Sequence, residues 1–358
     1  MRIGVMLGFG AAAARGPTLT EQVEFAVEAE RIGAQICFTS EAYGYDAVSV
    51  LAAIGARTST MGIGAAALQI PARSAAMTAM TATTLDTLTA GRFTLGLGIS
   101  GPAVSDGWHG VPFGRPLART RTYVEAVRSA LRRAPLIADG PGLRVPATPA
   151  EYDPLRLSVR PPRLDLPILL AALGARNLEL AGEIADGVLT VWWVPEGSSE
   201  PLAHLQTGRD RRTVAAPTAT PVAEFDVVAL VPTATARPGS AESVADCAER
   251  VRPLAALYLG GMGTADVNFY AAQAARLGFA EQAAEVGEHF RAGRLREASA
   301  AVPLEFLDAT CLLGDPVHVR ARVDAVAGAG VTTRAAAPVG GSTRDHLADL
   351  ATVCQRSA

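Results

Sequence analysis

Apolar positions along this chain follow two periods that alternate from one segment to the next. Between residues 93 and 100 (FTLGLGIS), apolar side chains occupy every second position, which is typical of a strand. Between Thr18 and Gly33 they recur at helical spacing behind a Thr-x-x-Glu capping pattern, which predicts a helix. The same alternation continues through most of the chain and indicates an α/β protein with a parallel sheet.

The two periods predict eight strands separated by helices. The predicted strands are residues 2–7, 35–40, 61–70, 93–100, 167–173, 187–193, 225–235 and 331–337. Eight such units in a chain of 358 residues fit one (β/α)8 TIM barrel domain that covers residues 1–358. Two stretches exceed what the units need and are predicted as insertions, at about 134–165 and 257–303. The first is rich in Pro, Gly and Arg and is expected to be a connection without regular elements.

Composition limits the classes of partner. The chain is 49% hydrophobic and 19% charged, so it can bury a substantial core. A net charge of −3 gives no reason to expect nucleic acid or a membrane surface as a partner. The four cysteines form no C-x-x-C pair, and no apolar run has the length of a signal peptide or a membrane span. We therefore expect a cytoplasmic protein with reduced thiols and a small-molecule substrate.

A glycine-rich loop follows the fourth predicted strand. Gly96, Gly98 and Gly101 spell G-x-G-x-x-G, the pattern of dinucleotide-binding sites, which requires a helix to start in the loop. Pro102 and the glycines and prolines after it argue that no helix starts at once, which disfavours a nicotinamide site. Glycines on one face of a strand allow a flat ligand to approach closely, or they serve barrel packing alone.

Loops at the carboxyl ends of strands carry the candidate catalytic side chains, because such loops form the active sites of parallel α/β barrels. Trp108 and His109 lie in the loop after the fourth strand, and Glu41 follows the second strand. Glu41 is a candidate for proton transfer; the alternative is that its carboxylate binds loop backbone. The five histidines show no metal-ligand spacing, so no metal site is predicted.

Two sets of residues predict anion binding, and a third indicates close packing. Residues 173–176 (LGAR) stand at a helix start, where free N–H groups and an arginine favour a phosphate over a plain glycine turn. Arg115, Arg119 and Arg121 either meet further negative charge on a ligand or form a solvated face. The three alanines at 65–67 indicate that something bulky lies against the end of the third strand, or that the barrel is tightly packed there.

Several segments together resemble the bacterial-luciferase-like flavin and deazaflavin oxidoreductases. They are residues 40–102 (from SEAYGYDAV to LGLGISGP), 107–128 (GWHGVPFGRPLARTRTYVEAVR), 166–189 (LPILLAALGARNLELAGEIADGVL), 256–263 (ALYLGGMG) and 268–279 (NFYAAQAARLGF). Within that family they are most similar to the coenzyme F420-dependent branch, which includes methylene-tetrahydromethanopterin reductase. The resemblance covers nearly the whole chain and is specific for the family, but it does not identify a substrate.

The resemblance implies a (β/α)8 barrel with a deazaflavin or flavin ring at its C-terminal mouth, in front of a cis peptide in strand three. The residues that it places at the cofactor are Ala66, Ala67, Gly96, Gly98, Ser100, Leu173, Gly174, Ala175 and Arg176. The expected reaction is hydride transfer between coenzyme F420 and a small organic substrate. Glu41 or His109 is expected to relay a proton, and Trp108 to stack against the substrate.

Departures from the family's pattern leave two alternatives open. Ala42 stands where several members carry a histidine, and Arg334 stands in strand eight where an apolar residue is usual. Trp192 and Trp193 replace a more usual pair of phenylalanines. The first alternative is an FMN-dependent monooxygenase that uses reduced flavin and oxygen. The second is a divergent barrel with weakened cofactor binding.

The helix predicted at 74–89 favours a homo-oligomer, and the resemblance favours a dimer. Small residues and methionines lie on more than one face of this helix (AAMTAMTATTLDTLT). On the outside of a barrel such a helix exposes apolar surface that a second subunit would cover.

Overall fold

The computed structural model describes residues 1–8, 17–147, 153–215, 225–264 and 267–354, without the side chains of residues 213–215. The small residues at 11–16 predict a loop, but they lie outside the described residues. The strands of the described residues are β1 Arg2–Leu7, β2 Ile36–Thr39, β3 Gly62–Ala65, β4 Leu68–Gln69, β5 Phe93–Gly98, β6 Ala138–Gly140, β7 Leu143–Val145, β8 Ile168–Ala171, β9 Gly187–Val191, β10 Asp226–Thr235, β11 Leu312–Gly314 and β12 Thr333–Pro338.

The α-helices of the described residues are α1 Leu19–Ile32, α2 Ala47–Arg57, α3 Ala75–Leu88, α4 Pro116–Leu131, α5 Ala175–Ile184, α6 Ser199–Ala215, α7 Val244–Ala256, α8 Phe269–Arg276, α9 Ala280–Arg291, α10 Leu295–Ala300, α11 Leu304–Thr310, α12 Pro316–Gly328 and α13 Thr343–Cys354. Two π-helical turns, Ala103–Trp108 and Leu257–Gly261, and two 3-10 turns, Ile70–Ala72 and Pro195–Gly197, complete them.

The chain forms two compact units: Met1–Ser40 with Thr190–Ala203 and Asp226–Ala358, and Glu41–Leu189 with His204–Phe225. In the first unit, parallel strands run in the order β2-β1-β12-β10-β11. In the second, the parallel order is β3-β5-β8-β9, and β4 also pairs with β5. Each unit has its own core of strand residues, represented by Phe38 in the first and by Phe93 in the second, both fully buried.

Helix caps set several of the predicted boundaries. Thr18 and Glu21 form the predicted capping box at the start of α1, which ends at Gly33 in the left-handed conformation. The carboxylate of Asp46 caps α2 by accepting from the N–H of Ser49, and Ser74 caps α3 in the same way. Each cap satisfies an N–H group that has no partner inside its helix.

The region 134–165 departs from the prediction of a connection without elements. Strands β6 and β7 form an antiparallel hairpin in which Ala138 pairs with Val145 and Gly140 with Leu143. The two-residue turn between them, Pro141-Gly142, places Gly142 at a φ of 73°. Proline and glycine therefore mark the tight turn of a hairpin, and that turn makes the short flanking strands possible.

Strand β11 is a second element that the hydrophobic pattern does not predict. It has three residues, Leu312–Gly314, which pair with the carboxyl end of β10 from Thr233 to Thr235. Three residues are too few to establish a period of two, so the strand depends on the partner that tertiary structure brings to it.

Candidate active site

The two predicted catalytic loops follow β2 and β5, and parallel α/β proteins bind ligands at the carboxyl ends of their strands. The contacts that define the site all lie within the second unit, residues 41–189 and 204–225. Four groups of residues build it: the Glu41 loop, the His109 loop, a floor of small residues, and the amino end of α5.

The carboxylate of Glu41 organises the loop after β2. It pairs with the guanidinium of Arg73 and accepts hydrogen bonds from the backbone N–H of Gln69 at 3.2 Å and of Ala47 at 3.4 Å. The Glu41 side chain is only 8% exposed, so these protein groups occupy its oxygens in place of water. This geometry matches the alternative in which Glu41 binds loop backbone, and it leaves a role in proton transfer as a prediction.

Arg73 joins the loops after β2 and β4. Its guanidinium also pairs with Asp46 at 2.7 Å, and the hydroxyl of Tyr123 donates to its main-chain oxygen at 3.1 Å. Burial opposes the charged form of Arg73, but the hydrogen bond and charge of Glu41, together with the charge of Asp46, raise the pKa of the guanidinium. Burial raises the pKa of Tyr123 to about 12, so its hydroxyl remains a donor at neutral pH.

His109, in the loop after β5, joins Glu41 and Arg73 in one cluster through its contact with Gln69. Its Nε2 lies 2.6 Å from Oε1 of Gln69, whose Nε2 donates to the main-chain oxygen of Glu41 at 3.2 Å. The neighbouring Trp108 is 65% exposed, so its indole is available to a ligand. The two predicted residues therefore differ in surroundings: His109 is held by a buried amide, and Trp108 faces solvent.

The loop that carries Trp108 and His109 begins with a helical turn, contrary to the prediction that no helix starts at once after Gly101. The turn Ala103–Trp108 is π-helical and follows directly on Pro102. Proline is tolerated at such a start because the first N–H groups of a helix have no intrahelical partner. Ser100 precedes it with a φ of 58°, which is uncommon for a residue other than glycine.

Small residues at the ends of three strand segments form a floor. A Cβ built on Gly98 would lie 3.5 Å from Cβ of Ala67 and 3.6 Å from Cβ of Ala171. The peptide between Ala66 and Ala67 is cis, as the resemblance implies. With no side chain longer than a methyl at these three positions, a flat ligand can approach the strand ends closely.

Gly96 has a different role from Gly98. A Cβ at Gly96 would lie 1.9 Å from the main-chain oxygen of Ala65, far inside van der Waals contact. The absence of a side chain is therefore required by the neighbouring backbone. Gly96 fits the packing alternative, whereas Gly98 fits the alternative in which a flat ligand approaches the strand closely.

The amino end of α5 has the features of an anion site. Gly174 is the N-cap and contributes no side-chain cap, so the N–H groups of Ala175 and Arg176 are left without intrahelical acceptors. Arg176 is exposed and makes no hydrogen bond or ion pair within the described residues. Asn177 anchors the turn by donating to the main-chain oxygen of Ala171 at 3.0 Å. An anion bound here would contact the positive end of the helix dipole and the guanidinium of Arg176, which forms no ion pair within the described residues.

Of the three arginines predicted to meet further negative charge, Arg119 and Arg121 bind groups of the protein itself. Arg121 pairs with Glu183 at 2.7 Å, and Arg119 donates to the main-chain oxygen of Pro112 at 2.7 Å. Arg115 is exposed.

Within the described residues, no group of three or more His, Cys, Asp or Glu side chains could hold a metal ion. No helix in that part of the chain is long and apolar enough to cross a membrane.

Two residues of the cluster, Gln69 and Arg73, were not predicted as site residues. Gln69 is the first polar side chain after Gly64 in the apolar stretch GAAALQIP, and it is 6% exposed. A polar side chain in a buried strand must find a partner, and this rule is the signal by which the sequence could have identified it. Its partner His109 stands 40 residues away, so only the fold could identify the pair.

The profile of the luciferase-like monooxygenase family matches residues 1–333. The Mycobacterium tuberculosis protein Rv3520c, which bears the provisional name coenzyme F420-dependent oxidoreductase, is 36% identical over 348 residues, covering 93% of each chain. A 5,10-methylenetetrahydromethanopterin reductase of Methanolobus tindarius is 30% identical over 40% of this chain and 41% of its own.

Solved structures show the same fold. The coenzyme F420-dependent tetrahydromethanopterin reductase of Methanopyrus kandleri superposes with a TM-score of 0.78 at 21% identity, covering 98% of this chain and 97% of its own. The FMN complex of a 3,6-diketocamphane monooxygenase from Pseudomonas putida gives 0.68 at 16% identity, covering 99% and 97%. These likenesses and the alternating parallel strands and helices confirm the predicted (β/α)8 barrel. The chain belongs to the luciferase-like monooxygenase family and is a luciferase-like oxidoreductase.

Proposed function

We propose that this oxidoreductase uses coenzyme F420 and transfers a hydride between the deazaflavin and a small organic substrate. The observation that carries the proposal is the uncommitted Arg176 at the amino end of α5, together with the floor formed by Gly98, Ala67 and Ala171. An anion site and a flat floor on neighbouring parallel strands suit a cofactor with a planar ring and a phosphate. The 36% identical relative with an F420-dependent name supports F420 as that cofactor.

The residues of the second unit divide into two functions in this proposal. The N–H groups of Ala175 and Arg176 would hold the phosphate, and the floor would carry the ring. The deazaflavin, when bound, supplies a ring carbon that accepts or donates a hydride. Trp108 would shield the substrate from water, and His109 would exchange a proton with it. Glu41 and Arg73 would hold the loops in which these groups stand.

An FMN-dependent monooxygenase is the second candidate, because the FMN complex of the 3,6-diketocamphane monooxygenase shares the fold at a TM-score of 0.68. Both cofactors would place a phosphate at the amino end of α5 and a planar ring on the floor. Geometry alone therefore favours neither F420 nor FMN. Titration of the purified apoprotein with F420 and with FMN, followed by fluorescence, distinguishes them. We expect tight binding of F420 and none of FMN. Binding of FMN alone would replace the proposal, and binding of neither would favour a divergent barrel.

A further inference from the structure

Gln69 links the two candidate catalytic loops through three hydrogen bonds. Its backbone N–H donates to the carboxylate of Glu41 at 3.2 Å, and its side-chain Nε2 donates to the main-chain oxygen of Glu41 at 3.2 Å. Its Oε1 lies 2.6 Å from Nε2 of His109. The Gln69 side chain is buried at the end of β4, so water does not compete for these bonds.

The partner on the Glu41 side decides which way the amide of Gln69 points. A main-chain carbonyl oxygen only accepts hydrogen bonds, so the NH2 group of the amide must face it. The amide oxygen then faces His109. The orientation of the amide therefore follows from hydrogen-bond chemistry, which is the basis on which amide orientations are assigned.

The amide orientation decides in turn where the proton of His109 resides. An amide oxygen is only an acceptor, so the ring nitrogen 2.6 Å from it must carry a hydrogen. The neutral imidazole is then protonated on Nε2 and has its lone pair on Nδ1. Within the described part of the chain, no hydrogen bond to Nδ1 occupies that lone pair.

We propose that Gln69 is a positioning residue that holds the proton of His109 on Nε2 and leaves Nδ1 to exchange a proton with the substrate. The proton exchange with substrate rests on the proposed function, whereas the tautomer of His109 is a property of the protein alone. Glu41 contributes through its main-chain oxygen, which its own carboxylate keeps in place by binding Arg73 and the Gln69 N–H.

The proton balance of the reaction is simple in this arrangement. In the direction of substrate oxidation, a substrate C–H bond would break and lose its hydrogen with both electrons, and the cofactor, when bound, would supply the hydride acceptor. The proton of the adjacent hydroxyl or amine moves to Nδ1, and the resulting imidazolium keeps its Nε2–H bond to Gln69. In the direction of reduction, the imidazolium returns the Nδ1 proton to the substrate heteroatom. A substrate with a carbonyl or imine at the reduced carbon fits this scheme.

Nitrogen-15 NMR of the apoprotein tests the tautomer without cofactor. The chain has five histidines, so selective 15N-histidine labelling gives few signals, and a His109→Gln variant identifies those of His109. At a pH where the ring is neutral, we expect the Nε2–H form in the wild type. Gln69→Leu should give a mixture of tautomers, and Gln69→Glu, which keeps an acceptor oxygen, should restore the Nε2–H form. An Nδ1–H form in the wild type, or an unchanged tautomer in Gln69→Leu, would overturn the assignment.

Steady-state kinetics test whether the contact between Gln69 and His109 supports catalysis. We expect Gln69→Leu to lower kcat by at least about tenfold with little change in the cofactor KM, and Gln69→Glu to recover most of that loss while changing the pH profile. Thr310→Val, which also removes a buried side-chain hydrogen bond but lies in the first unit, is the control and should retain kcat. An unchanged kcat in Gln69→Leu would overturn the positioning role. Failure of the wild type to bind F420 would overturn the proposed function and leave the tautomer assignment standing.

Discussion

Single residues at the amino end of α5 and at the strand ends carry most of the evidence for a cofactor. Arg176 differs from Arg121 in being uncommitted: Arg121 pairs with Glu183, whereas Arg176 has no protein partner in the described residues. Gly96 and Gly98 are two residues apart, yet one meets backbone and the other meets methyl groups. Differences of this kind allow variants that separate binding from folding.

Arg176→Gln should weaken F420 binding about tenfold or more, because a charge-assisted hydrogen bond to phosphate contributes on the order of 1.5–3 kcal/mol. Fluorescence titration of the apoprotein measures the dissociation constant. Arg132→Gln is the matched control, since Arg132 is an exposed arginine at the carboxyl end of α4. Equal affinities of Arg176→Gln and the wild type would contradict the phosphate assignment.

The glycine pair in β5 gives a second prediction. Gly96→Ala should destabilise the fold by roughly 3 kcal/mol, because its Cβ would meet the oxygen of Ala65 at 1.9 Å. Gly98→Ala should fold normally, since its Cβ makes ordinary contacts with Ala67 and Ala171 at 3.5 and 3.6 Å. It should nevertheless lower affinity for the ring that rests on the floor. Urea denaturation and F420 titration are the two measurements; a Gly98→Ala protein that binds F420 as tightly as the wild type argues against the floor.

Among the elements, α13 is held to the end of β10 by one buried carboxylate. The fully buried Asp349 accepts from the backbone N–H and the hydroxyl of Thr235, both at 2.8 Å. Burial raises the pKa of Asp349 to about 6, against the opposing effect of these bonds and of Arg250 and Arg237. The unfolded chain releases this proton near its ordinary value of 3.8.

The folded state therefore holds the Asp349 proton where the unfolded state has lost it, and stability falls as the pH rises from about 4 to about 6. Asp349→Asn removes this effect and keeps an oxygen for Thr235, while its NH2 group takes the place of an Oδ2 that has no partner. We expect the variant to gain stability relative to the wild type across that window, by at most about 3 kcal/mol. Chemical denaturation at several pH values measures it, and a constant difference between the two proteins would refute the expectation.

For the whole molecule, the outer face of α3 supports the proposed dimer. Met77, Met80 and Leu88 are 51%, 51% and 62% exposed and lie along one side of the helix. Buried positions such as Ala79 and Ala82 form the opposite side, so the exposed methionines do not contribute to the core.

Light scattering of the purified protein should give the mass of a dimer. The double variant Met77→Glu and Met80→Glu should give a monomer with an unchanged far-UV spectrum, because charges placed in an apolar interface are costly to bury. Leu295→Glu, an equally exposed apolar position on α10, serves as the control and should remain dimeric. A monomeric wild type would refute the dimer.

The sequence by itself determined the parallel α/β barrel, most strand and helix positions, and the family, because periodicity and caps act over a few residues. It also located the loops after β2 and β5 and the amino end of α5, since loop position follows from element order. Tertiary structure alone decided that Glu41 is bound by Arg73, that Gln69 meets His109, and that Gly96 and Gly98 differ in role. Those contacts join residues 28 to 40 positions apart, or depend on a neighbouring strand, and no local pattern encodes which partner a buried polar group will meet.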